Sequence, residues 1–206
     1  MFRASLPLLI ALLLVSTLAL GTPIKSSYSL PPETEIFTLE VSRDSFLKQG
    51  SEKDNEGSNI ILDLQSSDKH RPVIAFNQTQ LVEVVENSIV QSAVLKLYVS
   101  DNGNNWGPSG NSIGVYRLLA NWAEGNGWNQ ENNVAGAGSG VTWACAIDSD
   151  ISNNNNDCST QWNGGSFQTP AADSVLITSD VVNQWVELDV TSDIIAFLDG
   201  SATNYG

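Results

Sequence analysis

The stretch SAVLKLYV, Ser92 to Val99, decides the fold class. Ala93, Leu95, Leu97 and Val99 recur at every second residue, with Val94, Lys96 and Tyr98 between them. Successive side chains of an extended chain point to opposite faces. A period of two therefore sets the first group on a core and the second outward. An amphipathic helix would need spacings of three and four. The segment predicts a half-buried β-strand.

Working outward, the same short apolar runs recur between turn signals. Candidate strands are IFTLEV (36–41), NIILDL (59–64), PVIAF (72–76), IGVYRLL (113–119), SVLIT (174–178) and QWVELDV (184–190). DNGNNWGPSGN and ISNNNND separate some of them, and such Asn, Gly and Ser clusters suit loops. Pro72 opens its run, which places that strand's start there or puts it at an edge. One helix is expected at TSDIIAFLDG, 191–200. Thr191 is its cap, Asp193 favours its positive end, Gly200 ends it, and Ile194, Phe197 and Leu198 share a face. There is no internal repeat and no sign of a second domain. The pattern is that of an all-β sandwich or barrel.

The N-terminus reads differently. Arg3 precedes an apolar run from Leu6 to Leu20, and Ala19 and Gly21 supply the small residues of a cleavage site. That predicts a secretory signal peptide over 1–21. A retained anchor is the alternative, but the run is short for a membrane span. After cleavage no membrane association is expected. Residues 22–35, rich in Ser and Pro, read as a flexible leader.

Charge and cysteines narrow the function. The 206 residues carry 9 Lys and Arg against 23 Asp and Glu, a formal net charge of −14. Such a surface repels phosphate backbones, so nucleic acid is not an expected partner. Cys145 and Cys158 are the two cysteines. In an oxidising compartment an even count favours a disulfide. A metal site on them is the rival, with His70 as the lone histidine of the chain.

Six pieces then fall in order: DSFLKQGSEKDNEGSN (44–59), RPVIAFN (71–77), SAVLKLYV, IGVYRLLANWAEG (113–125), GVTW (140–143) and WVELDVTSDIIAFLDGSATNYG (185–206). Together they resemble the secreted domain named after its DNRLRE motif, also classed as carbohydrate-binding module family 96. The related disaggregatase-type repeats are similar. The resemblance implies a jelly-roll-like antiparallel β-sandwich over 36–206 with one short C-terminal helix. Two departures stand out. Ala75 replaces the arginine that usually precedes the phenylalanine, and the family continues past its final N-x-G into a closing strand. The resemblance therefore implies a sandwich lacking its last strand. Either the sequence is a fragment, or a partner strand completes the fold by donor-strand self-assembly.

For chemistry, His70 in SSDKHRP reads as a solvated loop residue and not a triad base. No spacing singles out a carboxylate pair for glycoside hydrolysis. Glu124 in NWAEG belongs, by the resemblance, to the domain signature. No enzyme activity is expected. Oxygen-rich Asp148, Asp150, Asn154 and Asp157, between the cysteines, are candidate ligands for a structural Ca²⁺, against a plain solvated loop. Asp44 with Asp54 and Asn55 is a second candidate, by family analogy alone. Asn77-Gln78-Thr79 is a glycosylation sequon on what reads as a strand.

Sugar recognition needs exposed aromatic faces beside groups that bond hydroxyls. The resemblance implies that Trp122 and Trp143 are core plugs. Trp106, Trp128 with Asn129, and Trp162 lie in loops that look inserted, and are the candidate ligand residues. The expected function is a secreted, non-catalytic carbohydrate-binding module whose partner is an extracellular polysaccharide. The alternative is a structural or adhesive subunit of a cell-surface layer or filament.

Overall fold

A computed structural model describes residues 2–5, 12–18, 34–65, 69–86, 88–103 and 106–206. Its strands are β1 (Phe2–Ser5), β2 (Leu12–Leu18), β3 (Thr34–Leu39), β4 (Arg43–Lys48), β5 (Ile61–Leu64), β6 (His70–Ala75), β7 (Ser88–Val99), β8 (Asn111–Val115), β9 (Asp173–Ile177) and β10 (Gln184–Asp189). Three helices are α1 (Gln78–Val84), α2 (Asn129–Asn132) and α3 (Thr191–Leu198). The chain is β-rich, as the alternation predicts. All strand pairs are antiparallel. They form one four-stranded sheet, β10-β7-β2-β3, and three two-stranded sheets, β1-β5, β4-β6 and β8-β9.

SAVLKLYV behaves as its period requires. Ala93, Leu95 and Val99 are buried, and Leu97 packs beside them. The strand starts earlier than expected, at Ser88, because Ile89 and Val90 extend the ladder to β2. β10 lies opposite, with Leu188 across from Leu95 and Val186 across from Leu97. Burying a leucine such as Leu95 contributes about 2 kcal/mol.

Three apolar clusters make the core. Phe46, Leu81, Leu95, Leu188, Ile194 and Phe197 belong to the first. Leu47, Val73, Leu118, Trp122, Val141 and Trp143 form most of the second. Val99, Trp106, Ile177 and Val186 form the third. β4 sends Phe46 to the first cluster and Leu47 to the second, so both of its faces are covered.

Several expectations need correction. β8 stops at Val115, short of the predicted Leu119, since the amides of Leu118 and Leu119 bond Gly206 and Ser166 carbonyls outside the strand. α3 forms where expected, but Thr191 does not cap it. Val190 holds the cap position, and the Thr191 hydroxyl accepts instead from the Ala93 amide at 2.9 Å. Gly200 follows the helix at φ +76°, the left-handed geometry that glycine adopts freely. α1 is absent from the sequence reading. Asn77, read there as part of a strand, caps it through Oδ1, which accepts from Thr79 and Gln80 amides.

The N-terminal segments also take part in pairing. Residues 2–5 pair with β5, and residues 12–18 lie between β3 and β7. The leader expected at 22–35 lies outside the described residues except for Thr34 and Glu35, which begin β3. No helix among the described residues is long and apolar enough to cross a membrane.

Candidate functional site

The loop NWAEGNGWNQENN, 121–133, is organised by a residue far away in sequence. Asn55 is fully buried. Its Nδ2 donates to the carbonyls of Glu124 and Val141, each at 2.7 Å. Its Oδ1 accepts from the amides of Gly57 (3.2 Å) and Gly127 (2.7 Å). A buried amide with its donors and acceptor engaged costs little and pins three loops together. The glycines follow from this contact. A Cβ on Gly125, at φ +80°, would stand 2.4 Å from Asn55 Oδ1, and one on Gly140 would stand 2.7 Å from Nδ2.

Trp122 closes the same end. It is 1% exposed, and its indole N–H donates to the Tyr205 carbonyl at 2.7 Å. The Arg43 guanidinium lies 4.5 Å over its ring and donates to its carbonyl. Arg71 similarly covers Trp143, at 5.0 Å, and bonds the Gly164 carbonyl. Both tryptophans are buried plugs. Glu124 is part of the joint, because its Oε1 accepts from the Asp44 amide at 2.8 Å. Burial, with the Glu124 charge nearby, raises the Asp44 carboxyl to about 6.

The tryptophans proposed for a ligand go to three different places. Trp106 is 5% exposed and packs with Val99, Ile177 and Val186, so it is a core residue and no platform. Trp162 is half-buried against the second cluster, and its N–H donates to the Thr142 carbonyl at 2.9 Å. Packing, which a local loop composition does not reveal, claims both rings. Trp128 is also partly buried, at the N-cap of α2. Its N–H donates to Glu131 at 2.9 Å. Asn129, partly buried, donates one amide N–H to the Asn55 carbonyl at 2.9 Å.

The predicted disulfide joins Cys145 and Cys158, with a Cα–Cα distance of 5.9 Å. The acids inside that loop serve its own backbone. Asp148 is 1% exposed and accepts from the amides of Asp150 and Asp157. Asp150 accepts from Ser152, which holds its pKa below the usual range, and Asp157 accepts from the Asn153 side chain. Asp54 pairs with Lys48 at 3.0 Å, and Asn55 is the loop pin already described. In both places these side chains already meet protein partners. Among the described residues, no group of three or more His, Cys, Asp or Glu could hold a metal ion.

His70 also differs from its expected solvated role. It opens β6, is 8% exposed, and its Nδ1 lies 2.9 Å from the buried Asp63 carboxylate. Gln130 of α2 bonds the same oxygen at 3.1 Å. The pair ties α2 to the β5–β6 edge.

An exposed aromatic surface sits elsewhere, on the outward face of β7 and β10. Tyr98 and Trp185 are direct cross-strand partners with ring centroids 5.3 Å apart, edge to face. Trp185 is 43% exposed. The next pair on that face is Lys96 with Glu187, joined at 2.6 Å. The result is a strip of one aromatic pair followed by one ion pair. Its signal was in the alternation: Tyr98 shares the outward parity of Lys96, and Trp185 that of Glu187.

A cleft of about 610 Å³ opens between β6, β7, β8 and β10, bordered by Tyr98 and lined by apolar residues such as Ile74, Ile113, Val115 and Leu188, with Arg71, Arg117 and Asp193 among its charged side chains. Asn111, Ser112, Thr169 and Asn204 are among its polar lining residues. No family model, no curated protein and no solved structure matches the chain.

Proposed function

We propose that the chain is a secreted, non-catalytic carbohydrate-binding module of jelly-roll-like sandwich form, and that it takes an extracellular polysaccharide on the outer face of β7 and β10. The observation that carries this reading is the Tyr98–Trp185 pair. Trp185, 43% exposed, presents an apolar surface to a sugar ring, Tyr98 packs edge to face against it, and Lys96 and Glu187 stand beside them as hydrogen-bonding groups. The strands are rigid supports, so little is lost in ordering the site on binding.

Binding to a panel of soluble polysaccharides, measured by affinity electrophoresis and calorimetry, tests it. Trp185→Ala should weaken binding about tenfold or more, matching the loss of roughly 1.4 kcal/mol of stacking. Trp106→Phe should leave it unchanged. Wild-type protein that binds no glycan, or a Trp185→Ala variant that binds as well, removes the reading. A structural-subunit role is the second reading, and the seat of β2 between β3 and β7 favours it.

A further inference from the structure

The four-stranded sheet is continuous only because residues 12–18 sit inside it. β2 is antiparallel to β3 on one side and to β7 on the other. Leu12 stands across from Leu39 and Leu95, and Leu14 across from Phe37 and Ala93. Those four partners belong to the first core cluster or pack against it. The position therefore requires an extended strand with apolar residues at alternate places. Yet residues 12–18 lie within the segment whose sequence marks it for removal as a signal peptide. Cleavage after Gly21 would take β2 away and leave β3 and β7 with facing unpaired edges. Open edges of that kind recruit another strand.

The mature N-terminus carries a segment of the right pattern. In Ile24-Lys25-Ser26-Ser27-Tyr28-Ser29-Leu30, Ile24, Ser26, Tyr28 and Leu30 share one parity, three of the four apolar, and Lys25, Ser27 and Ser29 share the other. Its length equals that of β2. Pro31 and Pro32 follow, immediately before Glu33 and the start of β3 at Thr34. Folding back beside its own β3 would need a tight reversal through these residues. Proline fixes φ near −65° and holds the residue before it extended, so a short hairpin there is disfavoured. Lys25 also brings positive charge to a strongly acidic chain.

We propose that signal cleavage opens a strand slot between β3 and β7, and that Ile24–Leu30 of a second copy fills it. The precursor is closed by its own β2. The mature chain is a donor and an acceptor at once, and it assembles head to tail. Main-chain hydrogen bonds supply affinity, and the alternate apolar positions set the register. This holds whether or not the β7–β10 face binds a glycan.

The test uses the secreted protein, with its N-terminus sequenced, and light scattering after size exclusion from micromolar to millimolar concentration. The chain beginning at Thr22 should form concentration-dependent oligomers, and the chain beginning at Met1 should not. A synthetic peptide covering 22–33, in excess, should convert the oligomers to one-to-one complexes. The double substitution Tyr28→Lys and Leu30→Lys lies outside the described core and should keep the β-rich circular dichroism while weakening assembly at least tenfold. A mature N-terminus that retains Leu12, a mature chain monomeric throughout, oligomers indifferent to the peptide, or a double variant that assembles undiminished would each overturn the proposal. A monomer with β3 and β7 amides protected from exchange would show the slot closed from within one chain, and overturns it too.

Discussion

Two regions of this protein reverse what their compositions promise. The seam built on Asn55, Glu56, Asn59 and the loop at 121–127 is polar and glycine-rich, yet Asn55 and Glu56 are fully buried. The outward face of the large sheet and its flanks carries Ile36, Ile89 and Trp185, exposed by 63, 61 and 43%. The difference lies in partners. Each polar group of the seam meets a fixed donor or acceptor, so its burial costs little. Glu56, raised by burial, is still held by Lys48, Asn59 and the Gln130 amide. On the sheet face these apolar side chains stay largely exposed, which is how a binding surface differs from a core.

The comparison breaks most readily at Trp122. Replacing Trp122 by alanine should cost about 4 kcal/mol in urea or guanidinium unfolding, through a cavity under Arg43 and the lost bond to Tyr205. Trp185→Ala should change stability by less than about 1 kcal/mol, since its ring is half in water. Equal losses at both positions would mean that the sheet face is core after all.

Next in size is the disulfide, which closes the loop beside the seam. Cys145→Ser with Cys158→Ser should lower stability by about 3 kcal/mol, read as a shift in denaturation midpoint. Glycan binding by the sheet face should survive that change, and its loss would couple the two regions. Third comes the Trp185→Ala binding loss of about tenfold, roughly 1.4 kcal/mol.

The smallest effect is a pH dependence confined to the seam. Asp44 titrates near 6 in the folded chain, above its value in an unfolded one. Between about pH 4 and 6 the folded state holds a proton that the unfolded state has released. Stability must therefore fall as pH rises through that window. Because the carboxyl is partly open to water, the screened effect is on the order of 1 kcal/mol. Asp44→Asn should flatten this part of the stability–pH curve, and an unchanged curve would assign the slope to another group.

The strands were legible because alternation is local. SAVLKLYV, QWVELDV and SVLIT each display their inward and outward faces within a few residues. β4 was harder, since Ser45, Phe46 and Leu47 are consecutive and all buried, and no period shows. α1 was missed because its seven residues bury little beyond Leu81. The aromatic strip could have been found by asking which large aromatics fall on outward parity. Loop composition points instead to Trp106 and Trp162, and packing claims the first and much of the second.

By itself the sequence determined a β-rich antiparallel chain, a C-terminal helix and the one disulfide its two cysteines allow, because those depend on neighbours in the chain or on a count. Tertiary structure decided which tryptophans are plugs and which is presented to solvent. It also decided that Asn55 holds loops together. The partners involved, Glu124 and Val141, lie 69 and 86 residues from Asn55. A hydrogen bond or a covering side chain at that separation leaves no period in the sequence, and only the folded chain brings it into being.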